Sequence, residues 1–106
     1  MGIIASFTYR RRADVSEEAL LEASAATAEW FRDRPGFVYR SLARDADGLY
    51  HELVFWTDEA SAAASDAVFF DHAPNRTYVD LVDRASLERA RMPELQTALY
   101  RAMAPA

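Results

Sequence analysis

The chain has 106 residues, 51% of them hydrophobic, with a net charge of −5 and no cysteine. That length fits a single domain, residues 1–106, and the missing thiols exclude disulfides, thiolate catalysis and zinc–thiolate sites. An acidic surface repels phosphate backbones, and no apolar run nears the ~18 residues of a membrane span, so a cytoplasmic protein with no nucleic-acid and no membrane partner is expected.

Ile3–Arg10 reads as a first strand, with Ile3, Ala5, Phe7 and Tyr9 on one face and Ile4, Ser6 and Thr8 on the other. Apolar residues on both faces predict a central strand. The basic cluster Arg10-Arg11-Arg12 marks its solvated exit. Asp14 or Ser16 then caps a helix whose buried stripe is Leu20, Ser24, Thr27 and Phe31. Leu21, Ala25 and Ala28 are expected to widen that stripe, and Pro35-Gly36 ends the helix. Two strands follow, Phe37–Arg44 and Leu49–Trp56, joined by the hairpin signal Asp45-Ala46-Asp47-Gly48. Thr57-Asp58-Glu59 opens a second helix, from about Asp58 to Phe70, with Ala60, Ala63, Ala64, Ala67 and Val68 expected to face inward. Asp71-His72-Ala73-Pro74-Asn75 breaks it. A short helix is predicted over Arg76–Val82, a fourth strand over Ser86–Met92, and a last helix over Glu94–Met103 with Pro93 in its first turn.

The order βαββαβ is that of the ferredoxin-like fold: an α+β domain with an antiparallel sheet ordered 4-1-3-2 and both long helices on one face. The other face would be bare yet partly apolar. A second copy of the sheet is the simplest cover, so a homodimer is expected.

The segments PGFVYRSLARDADG, HELVFWTDEASAAA and LVDRASLERARM, in this order, resemble the antibiotic biosynthesis monooxygenase-like group of the dimeric α+β barrel superfamily. The resemblance covers about residues 3–92; the helix Glu94–Met103 would be an addition to it. It implies a cofactor-independent monooxygenase acting on a small aromatic, polyphenolic or quinol-type molecule. Two alternatives stand beside it: a non-catalytic small-molecule-binding module of the same fold, or an isomerase or cyclase that uses Glu52 or His51 as base without oxygen.

Alternation places Tyr50, Glu52, Val54 and Trp56 on one face of the third strand and His51, Leu53 and Phe55 on the other. The resemblance makes Trp56 a pocket tryptophan. Four residues earlier, where those monooxygenases carry an asparagine, stands Glu52. An asparagine can donate a hydrogen bond to a developing oxyanion; a buried Glu could instead abstract a phenolic proton. Glu52 or His51 is thus the candidate base, with Trp56, Phe7, Tyr9 and Phe31 as walls and Arg76 as partner of a substrate anion. The plainer alternative makes Trp56 a core aromatic and Glu52 a solvated strand residue. His51 and His72 are the two histidines, and no ligand spacing joins them, so neither metal nor any other cofactor is expected. The haem-degrading relatives resemble one another in a strand-1 asparagine, where this chain has Ser6, Phe7 and Thr8, and in a histidine on helix 2, which is missing here.

Overall fold

Side-chain alternation orders the sheet in the computed structural model, which describes residues 2–98. In β1 (Ile3–Arg11), Ile3, Ala5 and Tyr9 are buried against the helical layer, and Ile4, Ser6 and Thr8 turn to the opposite face. β2 (Phe37–Arg44) and β3 (Tyr50–Trp56) form the predicted hairpin. Its turn is closed by Asp45 N–H to the Leu49 carbonyl (2.9 Å) and Gly48 N–H to the Asp45 carbonyl (3.1 Å). Gly48 sits at φ +85, a conformation that suits glycine. β4 (Val82–Pro93) completes a four-stranded antiparallel sheet in the order β2-β3-β1-β4, the predicted order. β4 is longer than expected. Beyond a register shift between Thr8 and Arg10 it pairs again at Arg10–Asp83 and Arg11–Val82.

α1 (Glu17–Arg32) starts at Ser16, whose Oγ accepts from Ala19 N–H (3.1 Å), and it buries Leu20, Ser24, Thr27 and Phe31 as predicted. The predicted widening holds for Ala28, which is half-buried, and fails for the other two. Leu21 is 49% exposed and Ala25 is exposed, because at about 100° per residue both fall outside the arc centred on Leu20 and Phe31. Ala23, on the other flank, packs instead.

α2 (Glu59–Val68) is capped by Asp58, which accepts from Ser61 N–H (2.8 Å). The cap sets the phase of the helix, and the buried residues are Ala62 and Ser65. Ala60, Ala63, Ala64, Ala67 and Val68 are exposed, contrary to the predicted stripe. A single 3₁₀ turn, Phe69–Asp71, leads to α3 (Ala73–Asp80). α3 begins three residues before the predicted Arg76, since Pro74 starts this helix and does not merely end the last one. Residues 94–98 are not helical. Glu94 N–H donates to the Gly2 carbonyl (2.8 Å), which prolongs the extended course of β4; the rest of the predicted helix Glu94–Met103 lies outside the described residues.

The buried apolar side chains form two clusters. One holds Ile3, Ala5, Phe31, Val54, Trp56 and Ala62, the other Tyr9, Leu20, Tyr50, Tyr78 and Val82. Between them, Phe7 and Glu52 stand opposite each other on β1 and β3. On the bare face, the register lines up Tyr39, Phe55, Ile4 and Met92 as one apolar row across all the strands. No helix among the described residues is long and apolar enough to cross a membrane.

Candidate functional site

Where the two clusters meet, the helix-facing sides of β1 and β3 floor a cavity of about 160 Å³. Ala5, Phe7 and Tyr9 come from β1, and Glu52, Val54 and Trp56 from β3. Phe31 of α1 closes one side, and Phe69, Phe70 and Tyr78 lie on the far wall with Val79, Val82, Leu87, Asp66 and Arg89 around them. An apolar cavity of roughly 150 Å³ is enough to take up benzene, so one aromatic ring can be enclosed, and the rest of a larger molecule would lie past the exposed Phe70 and Leu87 at the mouth. Trp56 is 3% exposed and meets Phe31 and Phe37 edge-on, both at 5.9 Å between ring centres, so it is core and wall at once.

Glu52 is 5% exposed and both its oxygens are engaged. Oε2 accepts from Arg40 Nε (2.8 Å), and Oε1 accepts from the Tyr78 hydroxyl (2.9 Å). Arg40 also donates to Ser24 Oγ (2.9 Å) and lies over the rings of Phe31 and Tyr78. The Tyr9 and Tyr78 hydroxyls are hydrogen-bonded to each other. Each hydroxyl has a single proton. Tyr78 gives its own to Glu52, so Tyr9 donates to Tyr78 and keeps its oxygen lone pairs as acceptors. Burial is the main cause that raises both phenol pKa values above the ordinary tyrosine range, and the Glu52 charge adds to it. Burial opposes the charge on Arg40, but Glu52 and the tyrosines outweigh it and hold the guanidinium pKa above its usual value. A second layer braces this one. Tyr9 stacks on Tyr50 (5.4 Å), whose hydroxyl donates to Glu17 (2.8 Å), itself paired with Arg44 (2.6 Å).

The structure thus brings Glu52, Trp56, Phe7, Tyr9 and Phe31 to one cavity. His51 and Arg76 lie apart from it. His51 is on the bare face of β3, with Nε2 3.0 Å from Asp45 Oδ2, where it ties the hairpin turn to the strand. Arg76 reaches from α3 to the Phe70 carbonyl at the surface. The alanines of α2 lie outside the cavity; the aromatic turn after α2 forms the wall in their place. Sequence reasoning missed Arg40, Tyr78 and Arg89. Tyr78 was legible as an apolar position of a short helix, and Arg40 as a strand residue whose alternation directs it to the helices. Neither signal names a partner for Glu52. Among the described residues no group of three or more ligating side chains could hold a metal ion.

No known family profile and no curated protein matches the chain. Solved structures do. SnoaB, a cofactor-independent oxygenase from Streptomyces nogalater, superposes with a TM-score of 0.76 at 20% identity, over 91% of this chain and 95% of its own. The fold is that of the antibiotic biosynthesis monooxygenases. A monooxygenase from the ActVA-Orf6 gene of Streptomyces coelicolor, solved in complex with nanaomycin D, matches with a TM-score of 0.72 at 20% identity, over 93% of this chain and 92% of its own. A dimeric ferredoxin-like protein from Jannaschia sp. matches at 0.68 and 12% identity, over 89% of this chain and 100% of its own. At such identities the likeness to antibiotic biosynthesis monooxygenases concerns the fold, and the chemistry has to be argued from the residues.

Proposed function

We propose that the protein is a cofactor-independent monooxygenase of a small aromatic or quinol-type substrate, and that it works as a homodimer. The observation that carries this reading is the cavity itself: aromatic walls sized for a ring, a buried carboxylate in the floor, and two linked phenols that join the floor to the far wall. Oxygenation without a cofactor needs an electron-rich aromatic anion, a dry space that holds it beside dioxygen, and a group that takes its proton. Trp56, Phe7 and Phe31 supply the walls. A substrate hydroxyl that donates to the Tyr9 oxygen can pass its proton along Tyr9 and Tyr78 to Glu52. The resulting anion delivers electrons to dioxygen, a C–O bond forms, and loss of water turns a ring CH₂ (for a quinol, that of its keto tautomer) into C=O, which balances one O₂ against one carbonyl and one H₂O. The fold of the SnoaB and ActVA-Orf6 oxygenases supports the reading.

The hold of Arg40 and Tyr78 on both Glu52 oxygens favours a second reading, in which the cavity binds the same class of molecule without turnover. A dioxygen electrode separates the two. With a panel of one- to three-ring hydroquinones and anthrone-type ketones, catalysis consumes one O₂ per product and stops in Tyr78→Phe. Quenching of Trp56 fluorescence in Trp30→Phe protein, with no oxygen uptake across the panel, would establish the binding module.

A further inference from the structure

Ten of the eleven arginines among the described residues have a side-chain partner: a carboxylate, a backbone carbonyl, a hydroxyl or an aromatic ring. Arg89 is the eleventh. It stands on β4 opposite Phe7, on the helix-facing side, and lines the cavity with its outer part exposed. The acid best placed to neutralise it, Asp66, lies on the same rim but is held by Arg91, which also takes Glu59 (2.6 Å). Deeper in, the Glu52 charge is met by Arg40 at 2.8 Å. Every described carboxylate that lines the cavity is therefore paired, while one guanidinium at its edge is not.

A guanidinium offers a planar fork of donors that matches two oxyanion oxygens, and it holds its charge at any working pH. An apolar ring-sized space with such a group at its rim is complementary to a molecule that is aromatic at one end and anionic at the other. We propose that the ligand of this cavity is an aromatic oxyanion, its ring between the apolar walls and its charged oxygens on Arg89. This rests on the cavity being an aromatic site, but not on the oxygen chemistry.

Calorimetric titration of the full-length protein with 1-naphthoate and benzoate, each against its neutral amide, tests the proposal. The acids are expected to bind at least about tenfold more tightly than the amides, and Arg89→Gln to remove that advantage while leaving amide affinity unchanged. Arg84→Gln removes the same net charge from a surface pair with Asp80 and should leave all four affinities as they were. Equal binding of acid and amide by the wild type, or equal losses in the two variants, overturns the proposal and leaves the aromatic site standing. Binding of neither acid nor amide at millimolar concentration overturns both. Melting curves of the two variants check that each is folded.

Discussion

Glu52→Gln would leave Arg40 buried with an amide in place of its counter-ion. Breaking one side of such a pair costs about 3–5 kcal/mol, so urea unfolding of Glu52→Gln and of Arg40→Met should each show a loss of that size. The double variant Arg40→Met/Glu52→Leu should recover much of it, since neither charge is then stranded. The buried phenols set an alkaline limit. Their pKa values in the folded protein lie above the ordinary tyrosine value, so the unfolded chain releases these protons first as pH rises. The stability they contribute is whole below pH ~10 and declines above it. A pH series of melting temperatures should show this decline, and Tyr9→Phe/Tyr78→Phe should flatten it. At this scale the sequence was readable for side chains with one plausible environment. Trp56 and Phe7 are apolar and alternate onto the helix-facing side of the sheet, and Phe31 falls on the buried stripe of α1. The burial of Arg40 was not readable: alternation gives its face, but a strand arginine normally carries its charge to water. Its ion pair with Glu52 across the hairpin and its bond to Ser24 explain why it stays inside.

The strands and α1 were legible because several signals agree in each: alternation, caps and turn chemistry all point one way. The phase of α2 was not, since its alanines and serines give no direction and the Asp58 cap decides which side turns in. Asp58→Ala should therefore lower stability by about 1 kcal/mol and loosen the wall that follows α2. Gly36 binds the start of β2 to the start of α2. Its carbonyl accepts from Thr57 N–H (2.9 Å), and a side chain in its place would overlap Ser61 and crowd Thr57 Oγ1. With φ at +80 as well, Gly36→Ala should cost clearly more than the roughly 1 kcal/mol expected of Gly48→Ala, where a Cβ would make only ordinary contact with the Arg10 guanidinium at 3.7 Å. Adding Ser61→Gly should recover only the part due to the Ser61 overlap, since Thr57 Oγ1 still crowds the new side chain and φ is unchanged. Denaturation midpoints of the single and double variants, with Ser61→Gly alone as the control for a glycine in α2, give that part.

For the molecule as a whole, the row Tyr39, Phe55, Ile4 and Met92 leaves an apolar band across the sheet with no cover from its own chain among the described residues. Tyr39 is 52% and Met92 41% exposed. A symmetric dimer burying more than ~1,000 Å² is the expected state. Light scattering at micromolar concentration should find twice the chain mass, and a particle of 11.9 kDa would refute it. Phe55→Glu should give the folded monomer. The interior is also divided, with Phe7, Glu52 and the cavity between two apolar clusters that share no buried member. Amide hydrogen exchange should then reveal two separate opening events, one freeing the protons around Ile3, Val54 and Trp56, the other those around Tyr9, Tyr50 and Tyr78. A ring in the cavity touches both sides, for Trp56 and Val54 line it together with Tyr9 and Tyr78. Occupied, the two halves should exchange as one, so that ligand binding is read out as the merging of two exchange rates, at Ile3 and Tyr50, which do not line the cavity, as well as at the residues that do.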